Sequence, residues 1–260
     1  MFPKIIHQAW VDFNGNSSLT SNQTQWSNTW KELNPSYEYK LWNKQQNDDL
    51  ISNHYSDYKG AYDSYDREIK RVDFVRSCYL HKYGGIYADL DFECLKNFDP
   101  LLEEHSAYDV ILGEMWTDDS EDAHVSTTVI GSMVNAFMIS RAGSDFWLHH
   151  MDAMANRNLS QLTEECSTGA ITFRDAYLSY PNQEKILILP KEYFFPLSWV
   201  QVLNNTIDSR IPNPRQLRNS ALSGTITEQQ KQDSFPGAYA VSYWDESWKD
   251  EAFDDVFLPV

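Results

Sequence analysis

The chain is most tightly constrained between Asp66 and Glu93, where a helical repeat, two glycines and an alternating apolar run follow one another without a spacer. From Asp66 to Tyr83, the residues Ile69, Val72, Tyr79, Leu80 and Tyr83 recur at the spacing of one helical face, while Lys70, Asp73 and Ser77 fall on the other. The spacing predicts an amphipathic helix. Gly84 and Gly85 stand where a helix C-terminus turns through positive φ, a region open to glycine and unfavourable for other residues. Beyond them Ile86, Ala88, Leu90 and Phe92 alternate with Tyr87, Asp89, Asp91 and Glu93, which is the period of a strand. On that register Asp89 and Asp91 project to the same side.

Two carboxylates held side by side repel one another and lose hydration, so they call for a cation. A hard divalent ion suits them, since Mg²⁺ or Mn²⁺ takes oxygen ligands and is usually held by one or two carboxylates together with substrate phosphates. A bare Asp-x-Asp is weak evidence in a chain with 38 acidic residues. The helix, the glycine stop and the strand in front of it are what distinguish this one.

Around that segment the pattern alternates strands and helices. Lys4 to Trp10 and Tyr37 to Trp42 read as strands, as do a short run from Tyr108 to Gly113 and the stretch from Val129 to Ser140; Lys185 to Leu189 closes the regular pattern. Asn22 to Leu33 reads as a helix with Trp26, Trp30 and Leu33 in one stripe, and Phe146 to Asn156 as another. This is an α/β pattern, a mostly parallel central sheet flanked by helices, in which ligands bind beyond the carboxyl ends of strands. No Pro/Gly/Ser-rich linker interrupts the 260 residues, so residues 1–260 are expected to form one domain.

Composition excludes several classes. A formal charge of −17 is unsuited to a nucleic-acid surface, which needs clustered Lys and Arg, although an anionic nucleotide can still be drawn to a bound metal and one placed cation such as Arg76. Cys78, Cys94 and Cys166 form no C-x-x-C pair and read as reduced packing residues. No apolar run of membrane-spanning length and no leader pattern is present, so the expected location is cytoplasmic. His149-His150 with Asp152 is not read as a metal cluster, because adjacent histidines on a helix face different ways; they are expected at the surface.

The segment Tyr83-Gly84-Gly85-Ile86-Tyr87-Ala88-Asp89-Leu90-Asp91, preceded by Asp73 and Arg76, resembles the signature of glycosyltransferase family 32, with a related core in large glucosylating bacterial toxins. Further blocks are similar to that family: Pro3 to Trp10, Asn34 to Trp42, Val134-Asn135, Leu189 to Pro196 and Tyr239 to Trp248. The resemblance implies the GT-A nucleotide-sugar-binding fold and a bound Mn²⁺ (or Mg²⁺). It also implies a metal-dependent retaining transfer of a hexose from a nucleoside diphosphate sugar, GDP-mannose or a UDP-hexose, to a hydroxyl of a glycan or glycolipid acceptor. Asp89 and Asp91 would be the catalytic metal ligands.

Carried over residue by residue, the resemblance gives Trp10 a stacking role on the nucleobase, against the simpler reading of a core tryptophan. Asp73 and Arg76 would hold the ribose and the donor sugar, where spacing alone gives only an i, i+3 ion pair. Tyr87 either lines the donor pocket or fills the core, Asn135 faces the sugar or bridges strands, and Gly169, in Thr168-Gly169-Ala170, lets the backbone approach the donor. Where many family members carry histidine ahead of a Ser-Trp pair, this chain has Ser242-Tyr243-Trp244-Asp245-Glu246-Ser247-Trp248. Asp245, Glu246 or Ser247 is therefore expected to complete the metal coordination, with the Trp248 indole donating to the leaving diphosphate. That altered block leaves open a catalytically idle sugar-nucleotide-binding protein; a protein-glucosylating effector is the third reading.

Overall fold

A computed structural model describes residues 1–11, 18–115, 133–157, 163–207 and 209–245. The strands are β1 (Ile5–Ala9), β2 (Glu38–Trp42), β3 (Gly85–Ala88), β4 (Phe92–Cys94), β5 (Val110–Glu114), β6 (Met133–Ser140), β7 (Ile186–Leu189) and β8 (Ala240–Ser242). The helices that flank them begin with α1 (Ser21–Leu33), α2 (Lys44–His54), α3 (Lys59–Ser64), α4 (Glu68–Tyr83), α5 (Asp99–Glu104) and α6 (Asp145–Ala155). They continue with α7 (Glu164–Ser167), α8 (Ala170–Ser179), α9 (Trp199–Asn204), α10 (Pro214–Leu222) and α11 (Glu228–Ser234).

Six strands form the main sheet in the order β2-β1-β3-β6-β5-β7. Only β6 runs against its neighbours, β3 and β5; the remaining pairings are parallel. β4 and β8 make a separate antiparallel ribbon. The α/β class with a mostly parallel sheet is as the sequence predicts. Of the expected strand from Val129 to Ser140, residues 129–132 lie outside the described residues, and regular structure does not close at Leu189, since α9 to α11 and β8 follow.

Both faces of the sheet are covered. Ile86 and Ala88 of β3 pack with Phe92, Phe137 and Phe194 on one side, while Tyr87 packs with Trp42, Tyr79 and Phe146 on the other. A third cluster, built on Trp26, Leu197, Leu217, Phe235, Val241 and Tyr243, joins the C-terminal helices to α1 across the ribbon. Beneath it a buried ion pair, Lys231 Nζ to Glu93 at 2.5 Å, with the Tyr243 hydroxyl donating to Glu93 at 2.7 Å, ties α11 to β4 and β8. Helix starts are set locally: Thr20, Asn43, Ser198 and Thr227 each close a capping box with a glutamine three residues on. Leu33, expected in the α1 stripe, ends that helix 38% exposed, leaving Trp26 and Trp30 as its buried anchors.

α4 differs from the amphipathic helix expected. It has no side-chain N-cap, and Lys70, Asp73 and Ser77, assigned to its polar side, are all buried. Each has a partner, which for Ser77 lies on another helix. Lys70 reaches the exposed Asp66 at 2.9 Å, Asp73 meets Arg76, and Ser77 bonds Nδ1 of His150 at 2.9 Å. His150 is accordingly in the core and not at the surface; burial pushes its pKa down to about 3. Cys78 and Cys94 are buried free thiols, as expected, and Cys166 is half-buried. Among the described residues no helix is long and apolar enough to cross a membrane.

Candidate functional site

The glycines that stop α4 also let β3 run against its neighbours. Gly84 has φ 64° and Gly85 φ 98°, and a side chain on Gly84 would come within 2.5 Å of the Ala142 backbone. A side chain on Gly85 would overlap the Ile5 carbonyl. His7 seals the joint: its Nε2–H donates to the Gly84 carbonyl at 2.8 Å, and its Nδ1 accepts from the Trp42 indole at 3.0 Å. Burial pushes His7 down to about 4, so it stays neutral with the proton on Nε2.

β3 ends at Ala88, one residue before the first carboxylate. Asp89 to Asp91 is a turn closed by the Phe92 N–H on the Asp89 carbonyl at 3.1 Å, with the Gln8 amide on the same carbonyl at 3.0 Å. The continuous strand expected from Ile86 to Glu93 is thus two short strands of different sheets. Three residues of alternation cannot distinguish an extended segment from a turn.

On the α4 side the charges are closely paired. Arg76 reaches Asp73 at 3.0 Å through Nη1 and Asp89 at 3.0 Å through Nη2, and Nη1 also donates to the Asn135 carbonyl at 3.1 Å. Asp73 accepts from the Asn135 amide at 3.1 Å and the Thr168 hydroxyl at 2.9 Å. The Tyr87 hydroxyl donates to Asp89 at 2.7 Å, and its ring lies 5.1 Å from the guanidinium. Burial would lower the Arg76 pKa, but Asp89, Tyr87 and Asp73 more than offset it and hold the guanidinium charged. Burial drives Asp73 up to about 6, against the pull of Arg76 and of its two donors. The i, i+3 ion pair is therefore made, and it is one edge of a larger network.

On the ribbon side the balance is different. Asp91 accepts at one oxygen from the Ser242 hydroxyl at 3.1 Å and from the Asp245 N–H at 3.3 Å. Burial and the neighbouring charge of Asp89, with a smaller contribution from Asp245, push it up to about 7. Asp89 and Asp245 are also raised, by burial first, against Arg76 and Arg218 respectively. Among the described residues, Oδ2 of Asp89 and Oδ1 of Asp91 accept no protein donor. Among the described residues no group of three or more His, Cys, Asp or Glu ligands is formed. Two open carboxylate oxygens in an acid-rich setting fit a hard divalent ion whose remaining ligands come from substrate and water.

The structure brings Asp73, Arg76, Tyr87, Asp89, Asn135 and Asp91 together, with Asp245 beside Asp91. Tyr87 is only 1% exposed, so it supports Asp89 from the core and does not line an open pocket. Trp10 follows β1 at the same end of the sheet, half-buried, its N–H bonded to the Trp42 carbonyl at 2.8 Å. Gly169 packs against α7, where a side chain would come within 2.9 Å of the Glu165 Cα, while the preceding Thr168 supplies the contact to Asp73. Thr168 and Ser242 are the site residues that sequence reasoning did not nominate, although both lie in motifs it quoted. Glu246, Ser247 and Trp248 lie outside the described residues.

Comparison with known proteins agrees with this geometry. Residues 20–108 match the family described as glycosyltransferase sugar-binding region containing DXD motif, and Asp89-Leu90-Asp91 is the Asp-x-Asp of that segment. Inositol phosphoceramide mannosyltransferase 3 of Schizosaccharomyces pombe is 35% identical over 132 residues, 50% of this chain and 33% of the relative. An uncharacterized glycosyltransferase of Acanthamoeba polyphaga mimivirus is 26% identical over 200 residues, 75% of this chain and 74% of the relative. The chain spans about a third of the length of the first curated relatives it matches. Among solved structures, the PaToxG glycosyltransferase aligns with a TM-score of 0.52 at 13% identity, covering 92% of this chain and 89% of that one. The fold is of the GT-A type, and the resemblance to DXD glycosyltransferases read from Tyr83 to Asp91 is borne out.

Proposed function

We propose that this chain is a metal-dependent, retaining glycosyltransferase that moves a hexose from a nucleoside diphosphate sugar to a hydroxyl of a glycan or glycolipid. The observation that carries the reading is the turn at Asp89 to Asp91: two carboxylates beyond the carboxyl end of a central strand, each with one oxygen held by fixed donors and one left open. Relatives named as inositol phosphoceramide mannosyltransferases favour mannose as the sugar; the donor would be GDP-mannose, with a UDP-hexose as the alternative.

Asp89 and Asp91 would hold Mn²⁺ or Mg²⁺, with Asp245 next to them. The ion, when bound, stabilises the negative charge that grows on the leaving diphosphate as the sugar C1–O bond breaks. Arg76 fixes one oxygen of Asp89 and leaves the other open, and Asp73, Asn135 and Tyr87 in turn keep the guanidinium from swinging away. Trp10, at the end of β1, is placed to stack on a nucleobase. We assign no protein nucleophile; the acceptor proton passes to the departing phosphate oxygen on the same face.

The test is donor hydrolysis by the purified protein across GDP- and UDP-sugars, with and without Mn²⁺, beside Asp89→Ala. Metal-dependent release of one nucleotide, lost in the variant, is the expected result. Mn²⁺-dependent donor binding with no turnover on any glycan or glycolipid acceptor would replace this reading with an idle binder.

A further inference from the structure

Trp244 is one of two non-glycine residues with positive φ among the described residues, at φ 53°, and it sits immediately before Asp245. A side chain makes that backbone region unfavourable, so something must hold it there, and such conformations gather at functional sites. Arg218 on α10 is the holder. Its Nε donates to the carbonyls of Tyr243 and Trp244, both at 3.1 Å, and its Nη2 donates to the Trp244 carbonyl as well. The Trp244 indole N–H adds a bond to the Leu197 carbonyl at 2.8 Å, and its ring stacks on Phe195.

The clamped turn wraps one oxygen of Asp91. The Trp244 N–H donates to the Ser242 hydroxyl at 3.1 Å, which donates to Asp91 Oδ2; the Asp245 N–H reaches the same oxygen at 3.3 Å. If Trp244 relaxed to negative φ, the Asp245 N–H would rotate off Asp91 and the Asp245 carboxylate would turn with it. Arg218 contacts the carbonyls of this turn and makes no hydrogen bond to Asp91. We propose that Arg218 is a positioning residue for the metal site, holding the positive-φ turn at Trp244 that aims Asp245 at Asp91. This deepens the function proposed above and rests on it, and it concerns Asp245, the described member of the three acidic or hydroxyl candidates of the C-terminal block.

The experiment is Mn²⁺ titration, followed by the electron-spin resonance of free Mn²⁺, on the wild type, Asp91→Asn, Arg218→Met, Trp244→Ala and Trp244→Gly, each first shown to be folded by its thermal transition. Loss of Arg218 should weaken Mn²⁺ binding roughly tenfold, in the range for groups that orient a metal ligand. The two Trp244 variants lose the same ring but differ in backbone preference, so Trp244→Gly should bind Mn²⁺ about fivefold more tightly than Trp244→Ala. A merely structural role for Arg218 predicts wild-type Mn²⁺ affinity in folded Arg218→Met, and a turn that does not matter to the metal predicts no difference between the Trp244 variants. Equal affinities for the glycine and alanine variants overturn the proposal, as does wild-type affinity in Arg218→Met. If Arg218→Met does not fold, the Trp244 pair decides. Mn²⁺ binding no tighter in the wild type than in Asp91→Asn would sink the metal-site reading itself, and the positioning role with it.

Discussion

The two carboxylates of the turn, two residues apart, live in opposite electrostatic settings. Asp89 faces a guanidinium that is itself held by Asp73 and Asn135, so that half of the site carries its own cation and is oriented before any ligand arrives. Asp91 faces a hydroxyl, a backbone N–H and two other acids, and burial with that repulsion pushes it up to about 7. One half is organised in advance; the other is left short of positive charge. Fixed donors cost no reorganisation when charge develops, whereas an acid-rich pocket repels an anion until a cation enters. The division suits the metal and the diphosphate of the function proposed above.

The contrast can be broken most forcefully at Asp91. Asp91→Ala should lose about 100-fold or more in Mn²⁺ affinity, at least the upper end of what loss of a ligand-orienting group costs, and transfer with it. Full transfer rate in that variant at saturating metal would show that the ribbon side is not the metal side. Next comes Arg76→Met, which leaves Asp73 and Asp89 facing one another without their shared cation; it should destabilise the fold by roughly 3–5 kcal/mol in denaturant unfolding. A loss under about 1 kcal/mol would mean that the α4 half does not depend on its shared cation. Thr168→Val removes one donor from a buried carboxylate and should cost roughly 1.5–3 kcal/mol in the same assay.

The pH dependence sharpens the comparison further. Asp91 has its folded pKa raised from 3.8 to about 7, so its contribution to stability is full below about pH 4 and declines as pH rises through about 7. Asp73, raised to about 6, declines over a lower and narrower window. The metal-free protein should therefore lose thermal stability between pH 4 and pH 7 on account of these two groups. Saturating Mn²⁺ or Asp91→Asn should flatten the upper part of that decline and leave the Asp73 part in place. A melting temperature with the same pH profile in Asp91→Asn as in the wild type would contradict the assignment.

What could be read from the sequence follows from distance along the chain. The glycine stop, the strand after it and the pairing of Asp73 with Arg76 are set by near neighbours, so spacing alone exposes them. The burial of Lys70, Ser77 and His150 depends on partners, and for Ser77 and His150 the partner is on another helix. Polarity patterning therefore assigns Lys70, Ser77 and His150 to the outside. Thr168 meets Asp73 across 95 residues and Ser242 meets Asp91 across 151, contacts for which one sequence contains no local signal. Even the turn at Asp89 to Asp91 is decided from afar, because β4 leaves the main sheet to pair with β8.

That last pairing has a consequence for how the molecule is assembled in time. A chain made from its N-terminus can form α4, β1 and β3 before β8 is made, but Asp91 cannot acquire Ser242 or Asp245 until β8 has emerged and docked on β4. Contacts of such long separation form late in folding. Until then the turn holds Asp91 without the donors that fix its Oδ2, so the carboxylate pair acquires its final geometry only after β8 has docked.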